Sequence, residues 1–145
     1  MTGSSIVLTR VFPVDIERVF EAWTRPDLLS QWFVPAAGSA AVVTNDLRVG
    51  GRYRIAIHRD DRDIGGASGE YLEIHAPHRL VFTWASTGVV HLKDSVVAVD
   101  LERVQGGTEL TLTHTVRRDS EEGRAHDRGW QATLASLERF LESRG

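Results

Sequence analysis

The chain contains no cysteine and no long apolar run. Without cysteine it can form neither a disulfide framework nor a thiolate zinc site, and it has no cysteine nucleophile. No apolar stretch approaches the roughly 20 residues that a helix needs to cross a bilayer. The opening "MTGSSIVLTR" also lacks the basic region and apolar core of a secretory signal. We therefore expect a cytoplasmic protein without a membrane span.

An excess of positive charge is absent as well. The net charge is -3 and the arginines are scattered along the chain, so nothing favours binding to nucleic acid or to an anionic membrane surface. The 145 residues are 41% hydrophobic and 26% charged, which is typical of a globular protein. Since no repeat or linker interrupts the sequence, we expect one domain over residues 1–145.

Motifs that indicate a cofactor or a metal are also missing. There is no H-E-x-x-H sequence, no phosphate loop, no dinucleotide fingerprint and no G-x-S-x-G elbow. The aspartates of "DDRD" lack the twelve-residue spacing of a calcium loop and its closing glutamate. His75 and His78 lie in a predicted turn. We expect neither a metal nor a cofactor.

What the chain does have is clear periodicity in a simple order. Helical spacing follows Asp15, a candidate N-cap, and a second short helix is predicted over Asp27–Phe33. A long helix begins near Ser120, with acidic residues in its first turn. Alternation of apolar and polar residues predicts strands over Ser5–Phe12, Ala40–Asp46, Arg52–Arg59, Gly69–His75, Arg79–Ser86, Asp94–Val104 and Thr108–Arg117.

Seven strands and one long helix restrict the architecture. A helix is ~10 Å across and strands lie ~4.8 Å apart, so one helix covers only two or three strands of a flat sheet. We therefore expect an α+β fold in which a curled antiparallel sheet of about seven strands surrounds the C-terminal helix, while the two short helices close one end. Such a sheet leaves an apolar hollow, which is the usual form of a small-molecule site.

Several stretches of the sequence occur together in a known family: "VFEAWTRPDLLSQWF", "DLRVGGRYRI", "GEYLEIHAPHRLVFTW", "GGTELTLTH" and "HDRGWQATLASLERFL". In this order, over nearly the whole chain, they resemble the START-like SRPBCC superfamily, and within it the single-domain bacterial homologues of the activator of heat shock protein 90 ATPase. The resemblance implies the helix-grip fold and an internal pocket for a hydrophobic or aromatic ligand. It implies no particular reaction, because the superfamily includes lipid carriers, hormone binders, polyketide cyclases and aromatases.

The resemblance also bears on partners. The eukaryotic co-chaperone uses a separate N-terminal domain, for which this chain has no room, so we do not expect activation of a chaperone ATPase. Exposed edge strands and the apolar short helices are compatible with a homodimer.

The long helix carries the most unusual candidate site. Gly129 lies in its interior, where glycine costs ~1 kcal/mol against alanine, and the missing side chain gives space either to a ligand or to a strand. His126 lies one turn before Trp130, and His114 continues the inward alternation of its strand. Both histidines are candidates for hydrogen bonding or acid–base chemistry in the hollow. A buried histidine is nevertheless more often simply satisfied by the core.

Aromatic residues on the short helices, the strands and the long helix complete the predicted pocket. Each is by itself more often a core residue, and only their joint placement favours a shared cavity. The predicted ligand-binding residues are Trp23, Trp32, Phe33, Tyr53, Phe82, Trp84, His114, His126, Gly129, Trp130 and Leu134.

Three functions remain open at this point. The first is binding of a small hydrophobic or aromatic molecule. The second is a cyclase- or dehydratase-type enzyme that uses His126 or His114 as acid or base, which ranks lower because the sequence pairs no carboxylate with either residue. The third is a co-chaperone-like interaction module, in which the outer surface matters.

Overall fold

A computed structural model describes residues 5–33, 39–88, 92–116 and 120–143. These residues form seven strands and three helices in the predicted order. The strands are β1 (Ser5–Phe12), β2 (Ser39–Asn45), β3 (Arg52–Arg59), β4 (Arg62–His75), β5 (Arg79–Gly88), β6 (Leu92–Val104) and β7 (Gly107–Thr115). The helices are α1 (Ile16–Thr24), α2 (Pro26–Trp32) and α3 (Glu121–Ser143).

The strands make one antiparallel sheet in the order β1-β7-β6-β5-β4-β3-β2. Each strand from β2 to β6 therefore pairs with the next one along the chain, and β1 pairs with β7. Since β1 and β2 lie at opposite edges, α1 and α2 carry the chain from one edge of the sheet to the other. Of the helices that the structure describes, none is long and apolar enough to cross a membrane.

The long helix lies on the concave face of this sheet. It contacts β1 at one edge, and its side chains share a cavity with β3, β4 and β5 towards the other edge. One helix thus spans the inner face of the sheet from β1 at one edge to β3 near the other. This arrangement confirms the predicted α+β architecture, and it is the helix-grip fold that the family resemblance implies.

The alternation of β7 illustrates how the sequence directs side chains into the core. Leu110, Leu112 and His114 point inward and are fully buried, while the residues between them are partly exposed. The helices also contribute: Trp32 is fully buried and donates its indole N–H to the carbonyl of Ala22 over 2.9 Å. This hydrogen bond fixes the two short helices to each other.

The largest difference from the predicted elements is at β4, which begins at Arg62 rather than Gly69. The turn before it consists only of Asp60 and Asp61, whose φ angles of 52° and 63° fit a two-residue hairpin turn. The glycine-rich stretch that follows is a strand, with Gly66 paired to Ala56 on β3. The sequence prediction begins this strand at Gly69 and therefore leaves these glycines out of it. The predicted end of the last strand, Arg117, lies outside the described residues.

Candidate functional site

A cavity of about 290 Å³ lies between α3 and the inner faces of β3, β4 and β5. The described side chains around it are mostly apolar, and the polar ones are Ser86, Thr87, His126 and Thr133. Its lining consists of Phe33, Ile55, Ile57, Ile64, Gly65, Gly66, Ala67, Trp84, Ser86, Thr87, Ala125, His126, Gly129, Trp130 and Thr133.

The helix side of the cavity is built from small residues. Ala125, Gly129 and Thr133 line it, and their spacing of four places them on one face of α3. A Cβ atom added at Gly129 would meet no heavy atom within 4 Å. The missing side chain therefore faces open space, and no strand approaches the helix at this point.

His126 forms part of the cavity wall and is held by three neighbours. Its Nδ1 lies 2.9 Å from the carbonyl oxygen of Glu122, so this nitrogen carries the hydrogen and donates it. Its Nε2 accepts the indole N–H of Trp84 over 3.2 Å and lies 3.2 Å from Oγ of Ser86. Burial lowers the pKa of His126, and the hydrogen bond to the Glu122 carbonyl opposes that shift. The ring is thus a neutral imidazole with both nitrogens bonded inside the protein.

His114 lies behind the cavity wall rather than on it. Its Nδ1 accepts the indole N–H of Trp130 over 2.9 Å. Its Nε2 lies 2.7 Å from Oγ of Ser95, and that hydroxyl donates to the carbonyl of Trp84. Burial and the nearby ring of His126 lower the pKa of His114 to about 3. This histidine is a neutral link in a hydrogen-bonded chain within the core.

The two imidazoles and the two indoles form one buried cluster. The ring centroids of His114 and His126 are 5.3 Å apart, and those of Trp84 and Trp130 are 5.0 Å apart. Among the ion pairs of the described residues, none includes either imidazole. Because each histidine accepts from a tryptophan, the cluster holds the two indoles that line the cavity in fixed orientations.

The predicted site residues fall into three groups. Five of them line the cavity: Phe33, Trp84, His126, Gly129 and Trp130. Another three, Trp23, Tyr53 and Phe82, line a second cavity of about 20 Å³ that also touches Phe33 and Trp84. The remaining three, Trp32, His114 and Leu134, are fully buried and line neither cavity.

Sequence reasoning missed the strand side of the larger cavity. Ile55 and Ile57 alternate with Tyr53 and share its face of β3, and Ser86 shares the inward face of β5 with Trp84. Strand periodicity could have found all of these. Gly66 was missed because it precedes Gly69, where the predicted strand begins, whereas β4 begins at Arg62. In the described ranges no three His, Cys, Asp or Glu side chains come together as potential metal ligands.

Comparison with known proteins places this architecture in a family. The family model described as Activator of Hsp90 ATPase homolog 1-like protein matches residues 13–142. None of the curated proteins matches the chain by sequence.

Solved structures of bacterial proteins share the fold over nearly the full length. CV1439 from Chromobacterium violaceum is 26% identical, with a TM-score of 0.83 over 97% of this chain and 99% of that chain. The AHSA1-like protein from Aeromonas hydrophila is 25% identical, with a TM-score of 0.82 over 97% and 94%. A protein from Rhizobium leguminosarum is 27% identical, with a TM-score of 0.81 over 97% and 95%.

Proposed function

The chain belongs to the family of Activator of Hsp90 ATPase homolog 1-like proteins, and on this premise we propose that it binds one small, neutral, hydrophobic or aromatic molecule in the cavity between the sheet and α3. The observation that carries the proposal is the unfilled space in front of Gly129. A glycine inside a helix destabilises it relative to alanine. Its presence at the cavity wall is explained if the space is used by a ligand.

The dimensions of the cavity support a ligand of bicyclic size. An engineered apolar cavity of roughly 150 Å³ is large enough to bind benzene, and this one measures about 290 Å³. The indoles of Trp84 and Trp130 provide flat apolar walls on one side, and Ile55 and Ile57 provide branched ones on the other. Such walls favour an aromatic or compact aliphatic molecule.

The polar groups of the cavity support a neutral ligand. None of the described residues in the lining is Lys, Arg, Asp or Glu, and burial keeps His126 uncharged. An ionised ligand would lose its hydration without gaining a counter-charge. The remaining polar side chains of the lining, Ser86, Thr87 and Thr133, are neutral hydroxyls.

Native mass spectrometry of the protein purified from its own host tests the proposal. We expect the wild type to carry a stoichiometric small molecule, and the Gly129→Phe variant to lack it, because the phenyl ring occupies the space at the cavity wall. The neutral fluorescent probe N-phenyl-1-naphthylamine provides a second readout in solution. Its emission should rise with the wild type and not with Gly129→Phe.

A matched control separates a filled cavity from a damaged helix. Ala132 is exposed on α3 and is not among the residues that line the cavity, so Ala132→Phe adds the same ring to the same helix outside the cavity. We expect Ala132→Phe to bind like the wild type. If Gly129→Phe and Ala132→Phe bind the probe equally well, or if the wild type binds neither a cellular molecule nor the probe, the proposed function is wrong.

A cyclase- or dehydratase-type enzyme in the same cavity has less support. His126 is the residue that would act as acid or base there, since it lines the cavity while His114 does not. Its Nε2, however, already accepts from Trp84, and its Nδ1 donates to a backbone carbonyl. Neither nitrogen is available to a substrate unless one of these bonds breaks, so the arrangement favours binding over proton transfer.

A further inference from the structure

The side chain of Trp23, which forms part of the wall of the second, smaller cavity, carries a buried donor without an acceptor among the described residues. Trp23 lines this cavity and is 3% exposed. Its indole Nε1 has no hydrogen-bond partner among the described residues. By contrast, Trp32, Trp84 and Trp130 all donate to protein acceptors. Buried polar groups are almost always satisfied, so the N–H of Trp23 indicates that an acceptor binds next to it.

The small cavity is adjacent to the larger one. Phe33, Ile55 and Trp84 line both. Phe33 is the residue at which α2 ends, and its ring packs between Trp84 and Trp130, with centroid distances of 6.1 and 5.9 Å. A rotation of this one side chain would connect the two spaces without breaking any backbone hydrogen bond of the sheet.

The tyrosine hydroxyls around the small cavity already have hydrogen-bond partners within the protein. The hydroxyl of Tyr53 donates to the carbonyl of Thr83 over 2.7 Å. The hydroxyl of Tyr71 accepts from Asn45 over 3.0 Å. The indole of Trp23 can only donate, and in the described part of the chain the residues that line this cavity carry no charge. The matching group is therefore a neutral acceptor rather than a carboxylate.

The volume of the small cavity limits the size of that acceptor. A space of roughly 10–15 Å³ is sufficient for one water-sized group, and this cavity measures about 20 Å³. One oxygen atom, but not a ring, fits there. The body of the molecule would remain in the larger cavity, against the two indoles.

We propose that the two cavities form one ligand site, with the ring of Phe33 as the movable partition, and that Trp23 Nε1–H donates to a neutral oxygen at the buried end of the ligand. The ligand class is then an aromatic molecule that carries a carbonyl or ether oxygen on its periphery. This inference rests on the proposed function, because it assigns the polar group of the same ligand.

Two probes of matched shape test it. 2-Acetylnaphthalene carries a ketone oxygen, and 2-isopropenylnaphthalene carries a methylene group in its place. We expect the wild type to bind the ketone roughly 3- to 10-fold more tightly than the hydrocarbon, which is the range that one hydrogen bond supplies. In Trp23→Phe this ratio should fall to about one, because the donor is gone. The ratio of the two dissociation constants, measured by titration calorimetry, cancels any packing change that affects both probes.

Nuclear magnetic resonance locates the oxygen without relying on a variant. In a protein labelled with 15N, the indole N–H signal of Trp23, assigned from its loss in Trp23→Phe, should shift downfield with the ketone and not with the hydrocarbon. The acetyl methyl group should show contacts with the rings of Tyr53 and Phe82, which line only the small cavity. Contacts with Ile57 and Thr133 alone, which line only the large cavity, would overturn the inference.

The outcomes distinguish this inference from the proposed function. Equal affinity for both probes, with no change at Trp23, would mean that the cavity binds apolar molecules but that the indole N–H is not part of the site. In that case the inference fails and the proposed function stands. If neither probe binds up to its solubility limit, both fail.

Discussion

Trp130 donates its indole N–H to Nδ1 of His114 over 2.9 Å, and this bond determines which nitrogen of the imidazole carries the hydrogen. An indole nitrogen cannot accept a hydrogen bond, so Nδ1 of His114 must be unprotonated. Nε2 then holds the hydrogen and donates to Oγ of Ser95 over 2.7 Å. In His126 the order is reversed, because Nδ1 faces the carbonyl of Glu122.

We predict that the two histidines are opposite neutral tautomers at neutral pH. His114 should be protonated at Nε2 and His126 at Nδ1, since each ring meets a tryptophan donor with its other nitrogen. Long-range 1H–15N correlation spectra of the imidazole rings distinguish the two forms. The same tautomer in both rings, or a charged form of either at pH 7, would contradict the hydrogen-bond assignment.

Acid should destabilise the protein through His114. The pKa of this residue is about 3 in the folded protein, because it is buried and lies near His126. In the unfolded chain its pKa is ~6.5. Between these values the unfolded state binds the proton and the folded state does not, so stability is complete above ~6.5 and falls as the pH decreases towards 3. One such group accounts for up to about 1.4 kcal/mol per pH unit.

Urea unfolding at a series of pH values measures this loss, and His114→Gln is the matched variant. Glutamine supplies an acceptor for Trp130 and a donor for Ser95, but it does not titrate. We expect the variant to lose less stability than the wild type between about pH 7 and pH 5. If the free energy of unfolding falls equally with decreasing pH in the wild type and in His114→Gln, titratable groups other than His114 cause the loss.

The fold could be predicted from the sequence because the alternation of apolar and polar residues within each segment identifies most of its strands. Alternation on β1 and β3 gave the bounds of both strands as the structure has them. The start of β4 was wrong because the composition of "DDRDIGG" is typical of a turn, whereas only Asp60 and Asp61 form it. Glycines in that strand, such as Gly66, are paired on both sides by β3 and β5, and a pairing of that kind cannot be inferred from one segment.

The candidate site was less accessible, because it depends on which residues face each other across the core. Periodicity correctly placed His114 on the inward face of β7. It did not reveal that Trp130 and Ser95 would occupy both of its ring nitrogens. Nor could it distinguish Leu134, which is fully buried behind the cavity, from the neighbouring Thr133, which lines it. Adjacent residues of α3 point in directions about 100° apart, so one of them lines the cavity and the next is buried in the core.

Gly129→Ala should stabilise the protein. A Cβ at this position meets nothing within 4 Å, so the change removes the entropic cost of glycine in a helix, which is about 1 kcal/mol, without a clash. Ala132→Gly on the exposed face of the same helix is the reciprocal control and should cost a similar amount. Thermal unfolding of both variants measures the two effects. A loss of stability in Gly129→Ala would show that the cavity wall tolerates no added atom.

Substitutions at Leu134 and Ile57 should affect the stability of the fold and the binding of a ligand to different extents. Leu134 is fully buried but lines neither cavity, so Leu134→Ala should destabilise the fold by about 2–5 kcal/mol and leave the affinity of the folded protein for N-phenyl-1-naphthylamine unchanged. Ile57 lines the large cavity, so Ile57→Ala should weaken the binding of this probe, because the probe loses apolar contact on the sheet side. For each variant, urea unfolding measures the free energy of unfolding. Fluorescence titration, at a temperature where both variants are folded, measures the dissociation constant of the probe. If Leu134→Ala changes the affinity as much as Ile57→Ala does, the probe binds against the core side of α3 rather than in the cavity beside Gly129.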